Sequence, residues 1–169
     1  MQVINKLAHL IDDVWCYSDL YEDIKSPPNT VLPLGTLAAI ALDAPLCRPL
    51  GVLAPAGTTA DRIVAFLSRV DLVVVEFPKF RDGRGFTLAR TLREKHGFEG
   101  DIRAIGHILP DQFAALMQCG FSSIELPANH PVDQWTRVVP GIVTTSTAGP
   151  LLQRLLGKRD ASTTKREKT

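Results

Sequence analysis

The sequence predicts an α/β fold: a single domain of repeated βα units with a mainly parallel sheet, open or half-barrel-like in layout. Three observations point there. Short apolar or β-branched runs at 51–56, 71–77, 101–108 and 122–126 alternate with amphipathic segments, the pattern of strands joined by right-handed helical crossovers. The run "DLVVVEF" is apolar for four residues without a break, as in a strand covered on both faces. The chain has 169 residues, 45% of them hydrophobic and 22% charged, which suits one globular core, and four such strands are too few for a complete (β/α)₈ barrel.

The elements follow in order. "GVLAPA" (51–56) reads as a strand and "TTADRIVAFLSRV" (58–70) as a helix with Ile63, Leu67 and Val70 on one face. Thr58 with Asp61 three residues on resembles a capping box, Asp standing in for Glu. After the strand "DLVVVEF", the segment "FTLARTLREKHG" carries an apolar stripe of Phe86, Ala89 and Leu92 and ends at Gly97. "DIRAIGHI" is the third strand. It leads to "LPDQFAALMQCG", where Pro110 suits a first helical turn, Phe113, Leu116 and Met117 form the buried face, and Gly120 ends the helix. "SSIEL" is the fourth strand.

The flanks are less regular. Pro-containing stretches at 25–35 and 43–51 read as loops around a short helix "TLAAIALD", making the N-terminal part irregular. Beyond Glu125, "VDQWTRVV" reads as a helix, "GIVTT" as a short strand and "GPLLQRLLG" as a closing helix. Residues 1–156 thus form the domain, and 157–169, polar, basic and without apolar periodicity, form a disordered tail.

Composition narrows the function classes. A net charge of +1 supplies no field to recruit nucleic acid or an anionic membrane. Cys16, Cys47 and Cys119 are odd in number and widely spaced, which argues against a disulfide framework or a metal site and for a reducing cytoplasm. Neither a signal peptide nor a span long enough to cross a bilayer is present. No GxGxxG, GxxxxGK[ST], GxSxG or CxxC motif occurs, so no cofactor is evident.

Ligands of open parallel sheets sit beyond the carboxyl ends of the strands. Glu76, His107 and Glu125 occupy those ends and are the candidate catalytic groups. The following loop, "PKFRDGRG", carries Lys79, Arg81, Asp82 and Arg84, with Gly83 and Gly85 able to turn backbone amides inward toward the start of a helix. That combination is either a cradle for a small oxyanion (phosphate, sulfate or a carboxylate) or a capping turn in which Asp82 caps the helix and the arginines face water. Arg103 interrupts a buried strand and therefore needs an acidic partner. Glu76 and Glu125 on neighbouring strands are the structural choice, and an anionic ligand the functional one. Cys119, just before a helix-ending glycine, reads as buried filler rather than a nucleophile.

The stretch "VEFPKFRDGRGFTLARTLREKHGFEGDIRAIGHILPDQFAALMQCGFSSIEL" (75–126) closely resembles the bacterial domain of unknown function 934 family, through FPKFxDGRG, ARxLR, RAxG, DQ and CGFxxxEL in order. The matching positions are Phe77, Pro78, Lys79, Asp82, Gly83, Arg84, Gly85, Arg90, Arg93, Arg103, Asp111, Gln112, Cys119, Gly120 and Glu125. His107 stands where an acidic residue is expected, and Arg81 where a small polar one is usual. Proteins of that family are described as probable oxidoreductases involved in sulfite reduction, their genes accompanying a sulfite or nitrite reductase in cysteine biosynthesis. The resemblance therefore implies either an accessory partner of that reductase or a small oxyanion-binding enzyme or oxidoreductase of sulfur metabolism.

Overall fold

The computed structural model describes residues 2–18, 27–40 and 46–143. Within them the chain forms an eight-stranded sheet: β1 (Val3–Asn5), β2 (Leu10–Ile11), β3 (Cys16–Tyr17), β4 (Thr30–Pro33), β5 (Leu50–Ala54), β6 (Leu72–Phe77), β7 (Asp101–Gly106) and β8 (Ser123–Glu125). The spatial order is β2-β1-β8-β7-β6-β5-β4-β3. Neighbours from β3 to β8 run parallel, whereas β1 pairs antiparallel with both β2 and β8.

The sheet is thus mixed, not the mainly parallel one expected. The N-terminal part is not irregular either, because residues 3–33 supply half of the strands. Their shortness hides them: β2 and β3 have two residues each, too few to show period-two alternation, and β4 ends on a proline that reads as a loop.

Chain reach dictates the shape. A flat eight-stranded sheet spans about 34 Å between its edge strands, at roughly 4.8 Å per step. Ile11 of edge strand β2 and Cys16 of edge strand β3 are five residues apart in sequence, a span of at most about 17 Å. The sheet therefore curls into an open half-barrel, and residues 12–15 form a strap between its two edges.

Alternation assigns the two faces. Val73, Val75 and Phe77 of β6 and Ile102 and Ala104 of β7 join the main core with Val52 and Ala54. Helices α1 (Leu34–Ala39), α2 (Arg84–Glu94), α3 (Phe113–Gln118) and α4 (Val132–Val143) cover that face, through Leu37, Leu88, Leu92, Phe113, Leu116 and Trp135. On the concave face Val31, Leu72 and Val74 meet Leu53 and Ile105, with Trp15 and Tyr17 packed on them. The strap is the lid of this second, smaller core.

Two helical expectations change. The segment 58–70 is not an α-helix but two 3₁₀ pieces, Ala60–Arg62 and Val64–Arg69. Ala60, Ile63 and Phe66 are all buried, and their spacing of three fits a helix with three residues per turn. The Thr58–Asp61 capping box does not form, since the Thr58 hydroxyl donates to the Pro55 carbonyl at 2.6 Å. "GIVTT" is not a strand where it is described, because α4 runs on to Val143. The closing helix at 149–157 and the basic tail lie outside the described residues. Among the described residues no helix is long and apolar enough to cross a membrane.

Candidate functional site

The expected residues fall into two groups, one in the loop beyond the carboxyl end of β6 and one on the concave face of β7 and β8. The first is the loop after β6, and its charges work mainly on each other. Asp82 accepts hydrogen bonds from the Arg84 backbone N–H at 3.1 Å and from the Arg84 guanidinium at 2.9 and 2.6 Å. It thereby caps the start of α2 and neutralises one of the three cations. These guanidinium bonds, with the backbone N–H second, hold the Asp82 carboxyl down to about 2. Asp82 thus serves the head of α2, as the capping alternative has it, but with Arg84 paired to it and not simply facing water.

The two glycines do not form an inward-facing amide nest. Gly83 has ordinary helical angles (φ −75°, ψ −10°). Gly85 serves close packing, since a Cβ there would lie 2.6 Å from the Phe77 ring. Phe77 also meets Phe86 edge-on, with ring centroids 5.3 Å apart. The glycine thus lets α2 sit down on the strand that precedes the loop.

Lys79, Phe80 and Arg81 are left at the tip, all exposed. Phe80 is 45% exposed, and the Arg81 guanidinium lies over its ring at 5.2 Å. The loop is bolted from below by Gln112, whose amide nitrogen donates to the Phe80 carbonyl at 2.7 Å while its Oε1 accepts the Leu109 N–H at 3.0 Å. His107 lies exposed just past β7, its backbone N–H donating to the Phe77 carbonyl at 2.8 Å. Between them Gly106 has φ +98°, and a Cβ there would lie 2.5 Å from that carbonyl, so this junction requires glycine.

The second group is internal. Arg103 is buried on the concave face, where its Nη1 donates to Asp13 at 2.8 Å and to the Tyr17 hydroxyl at 3.4 Å, and its Nε to Ser123 at 3.3 Å. The acid expected from Glu76 or Glu125 is instead Asp13, on the strap. Among the described residues, neither the cations of the loop nor a strand glutamate hydrogen-bonds to this pair. Glu76 is half-buried on the same face, beside Ile105 in register. Glu125 is close enough for Arg103 and Asp13 to act on its charge. Burial raises its carboxyl above the ordinary range, opposed by Arg103, reinforced by Asp13 and opposed again by the N-terminal ammonium. Its Oε2 is sealed from solvent and has no hydrogen-bond donor.

Several family-pattern positions act as braces. Arg93 donates from Nε to Gly120 O at 2.9 Å and from Nη1 to Phe98 O and to Gly100 O at 2.7 Å, tying α2 to the ends of two loops. Cys119 is buried, as a filler residue would be, with Arg90 Nη2 3.4 Å from its sulfur. Asp13 and Tyr17 escape sequence reasoning because the strap has no periodicity. The one signal available was the need of Arg103 for an acid.

No curated protein matches the sequence. A family model described as "Bacterial protein of unknown function (DUF934)" matches residues 51–145, more than half of the chain and all of the sheet from β6 to β8. The chain therefore belongs to the DUF934 family.

Proposed function

We propose that the protein is an accessory partner of the enzyme that reduces sulfite in sulfur assimilation and cysteine biosynthesis, docking through Lys79, Phe80 and Arg81. The pathway rests on the family resemblance. The docking rests on one observation, the division of labour within the loop. Asp82, Arg84 and Gln112 hold its backbone, while two cations and an aromatic ring stand clear of the surface. An arginine stacked on an exposed aromatic is the kind of anchor that concentrates binding energy at protein interfaces. Its complement is an acidic face with an apolar recess for Phe80.

Calorimetry with purified sulfite reductase tests the proposal. A complex is expected whose affinity falls with added salt. Lys79→Glu with Arg81→Glu, or Phe80→Ala, weakens it at least tenfold, and His107→Ala leaves it unchanged. Absence of a complex at micromolar concentrations overturns the docking role. Deleting the gene tests the pathway separately, through a growth requirement for cysteine or sulfide.

A second reading, a small oxyanion-binding enzyme, has one observation in its favour. Arg84, Thr87, Thr91, Lys95 and His96 border a groove of about 450 Å³ beside α2, with the acidic Asp61 on the same wall. Hydroxyls and cations of this kind suit sulfite, sulfate or phosphate. Asp82 already occupies two nitrogens of Arg84, so an anion would have to compete with it, which places this reading second. Binding of sulfite to the wild type, lost in Arg84→Ala without loss of fold, would reverse the order.

A further inference from the structure

We propose that the cavity at the carboxyl ends of β7 and β8 binds a small primary-ammonium ligand, with Glu125 as the carboxylate that receives it. The first observation is the orphan oxygen. Among the described residues, Glu125 Oε2 is the one buried side-chain nitrogen or oxygen without a hydrogen-bond partner. A buried carboxylate oxygen left without a donor is costly, and native structures rarely keep one without a reason.

The second observation is space beside it. Glu125 borders a cavity of about 480 Å³ with Gln2, Gly106, Leu126, His130 and Pro131. That volume is far larger than a single water needs. The terminal torsion of a glutamate is broad, so a small turn of the carboxylate presents either oxygen to the cavity.

Charge selects the chemistry. Asp13 and Arg103 pair at 2.8 Å, and Arg103 and the N-terminal ammonium together oppose the burial of the Glu125 charge without outweighing it. A ligand bearing one positive charge and N–H donors answers both needs together. An anion is repelled, and a neutral hydroxyl supplies a donor but no charge. His130 adds an acceptor, since its Nδ1 lies 2.7 Å from Gln134 Oε1. In the neutral ring that contact places the proton on Nδ1 and leaves Nε2 as a lone pair. Leu126 and Pro131 supply apolar wall for a short alkyl chain.

The test uses the full chain, amide-resolved NMR and two probe salts at equal ionic strength, propylammonium chloride and tetramethylammonium chloride. The second carries the same charge without N–H donors. The Gly106 and Leu126 amides are expected to shift saturably with propylammonium and not with tetramethylammonium. In Glu125→Gln, which keeps the side-chain shape, affinity is expected to fall at least tenfold. A non-saturating response to propylammonium, an equal response to both salts, or unchanged affinity in Glu125→Gln overturns the site. The two-salt comparison stands on the wild-type protein alone if that variant fails to fold.

Discussion

Asp13 and Arg103, ninety positions apart in sequence, meet at 2.8 Å inside the curled sheet, with 10% and 4% of their side chains exposed. One lies on a strap without regular structure and the other in the middle of β7. Their contact fastens the strap to the sheet it closes.

Loss of either partner should destabilise the fold, but unequally. Removing one member of a buried pair typically costs about 3–5 kcal/mol because a charge is left uncompensated. Arg103→Met should fall in that range, since Asp13 and Glu125 then face each other as like charges. Asp13→Ala should cost less, roughly 1–3 kcal/mol, because Glu125 remains to balance Arg103. The double variant should recover part of the loss. Denaturant unfolding of the four proteins measures this, and additive losses would contradict the coupling.

The Asp82 carboxyl should titrate near pH 2 in the folded protein, as followed by carbon-13 NMR. A depressed carboxyl favours the folded state above its ordinary range near 4, and this contribution disappears as pH falls through about 2. Arg84→Gln should return the midpoint most of the way to that range, the backbone N–H alone remaining as donor. An unmoved midpoint would show that the guanidinium is not the cause.

Glu125 should behave in the opposite sense. Its folded-state carboxyl is raised by burial, so the stabilisation its proton confers is complete below the ordinary range and disappears as pH rises through the raised value. At pH 7 the charged group is a mild burden, discounted because the side chain is only half-buried. Glu125→Gln should therefore raise the melting temperature at pH 7 by about 1–2 °C and flatten its rise between pH 7 and 4. A lower melting temperature at pH 7 would mean that the charge is well compensated.

Arg93 is expected to matter more than its place on the helix surface implies. Its guanidinium serves the carbonyls of Phe98, Gly100 and Gly120 and lies over the Phe98 ring at 5.7 Å. Truncation leaves these acceptors to find water, so Arg93→Ala should cost about 2–4 kcal/mol. Arg93→Lys should restore less than half, because an ammonium cannot reproduce the planar fork. Chemical denaturation midpoints decide between these outcomes.

The centre of the fold was legible because its residues announce themselves locally. Leu72–Phe77 carries an unbroken apolar run, and α2 and α3 carry stripes at helical spacing, so periodicity alone placed them. The edges were not legible. β1, β2 and β3 have two or three residues each, too short to show a period, and β1 is held in the sheet by β8, about 120 positions along the chain, information that no short window holds. The candidate site divided in the same way. The cations at 79–84 and the buried Arg103 were visible from residue type, whereas the acid that each would take was not. Asp82 proved a local choice, resolved within two residues. Asp13 was a distant one, reached through the curl of the sheet. Residue type raised Glu125 as a candidate, but the cavity beside it is visible only in three dimensions.

The strap also bears on how this protein can be cut. The segment shared with the family starts at Gly51, which tempts one to excise it as a minimal unit. Such a fragment would leave β5 as a raw edge, strip the aromatic cover of Trp15 and Tyr17 from Leu72 and Val74, and leave Arg103 without Asp13. Exposed strand edges beside bare apolar residues are the usual seed of aggregation. The boundary of detectable kinship and the boundary of autonomous folding therefore fall at different places, and residues 2–17 belong inside the second.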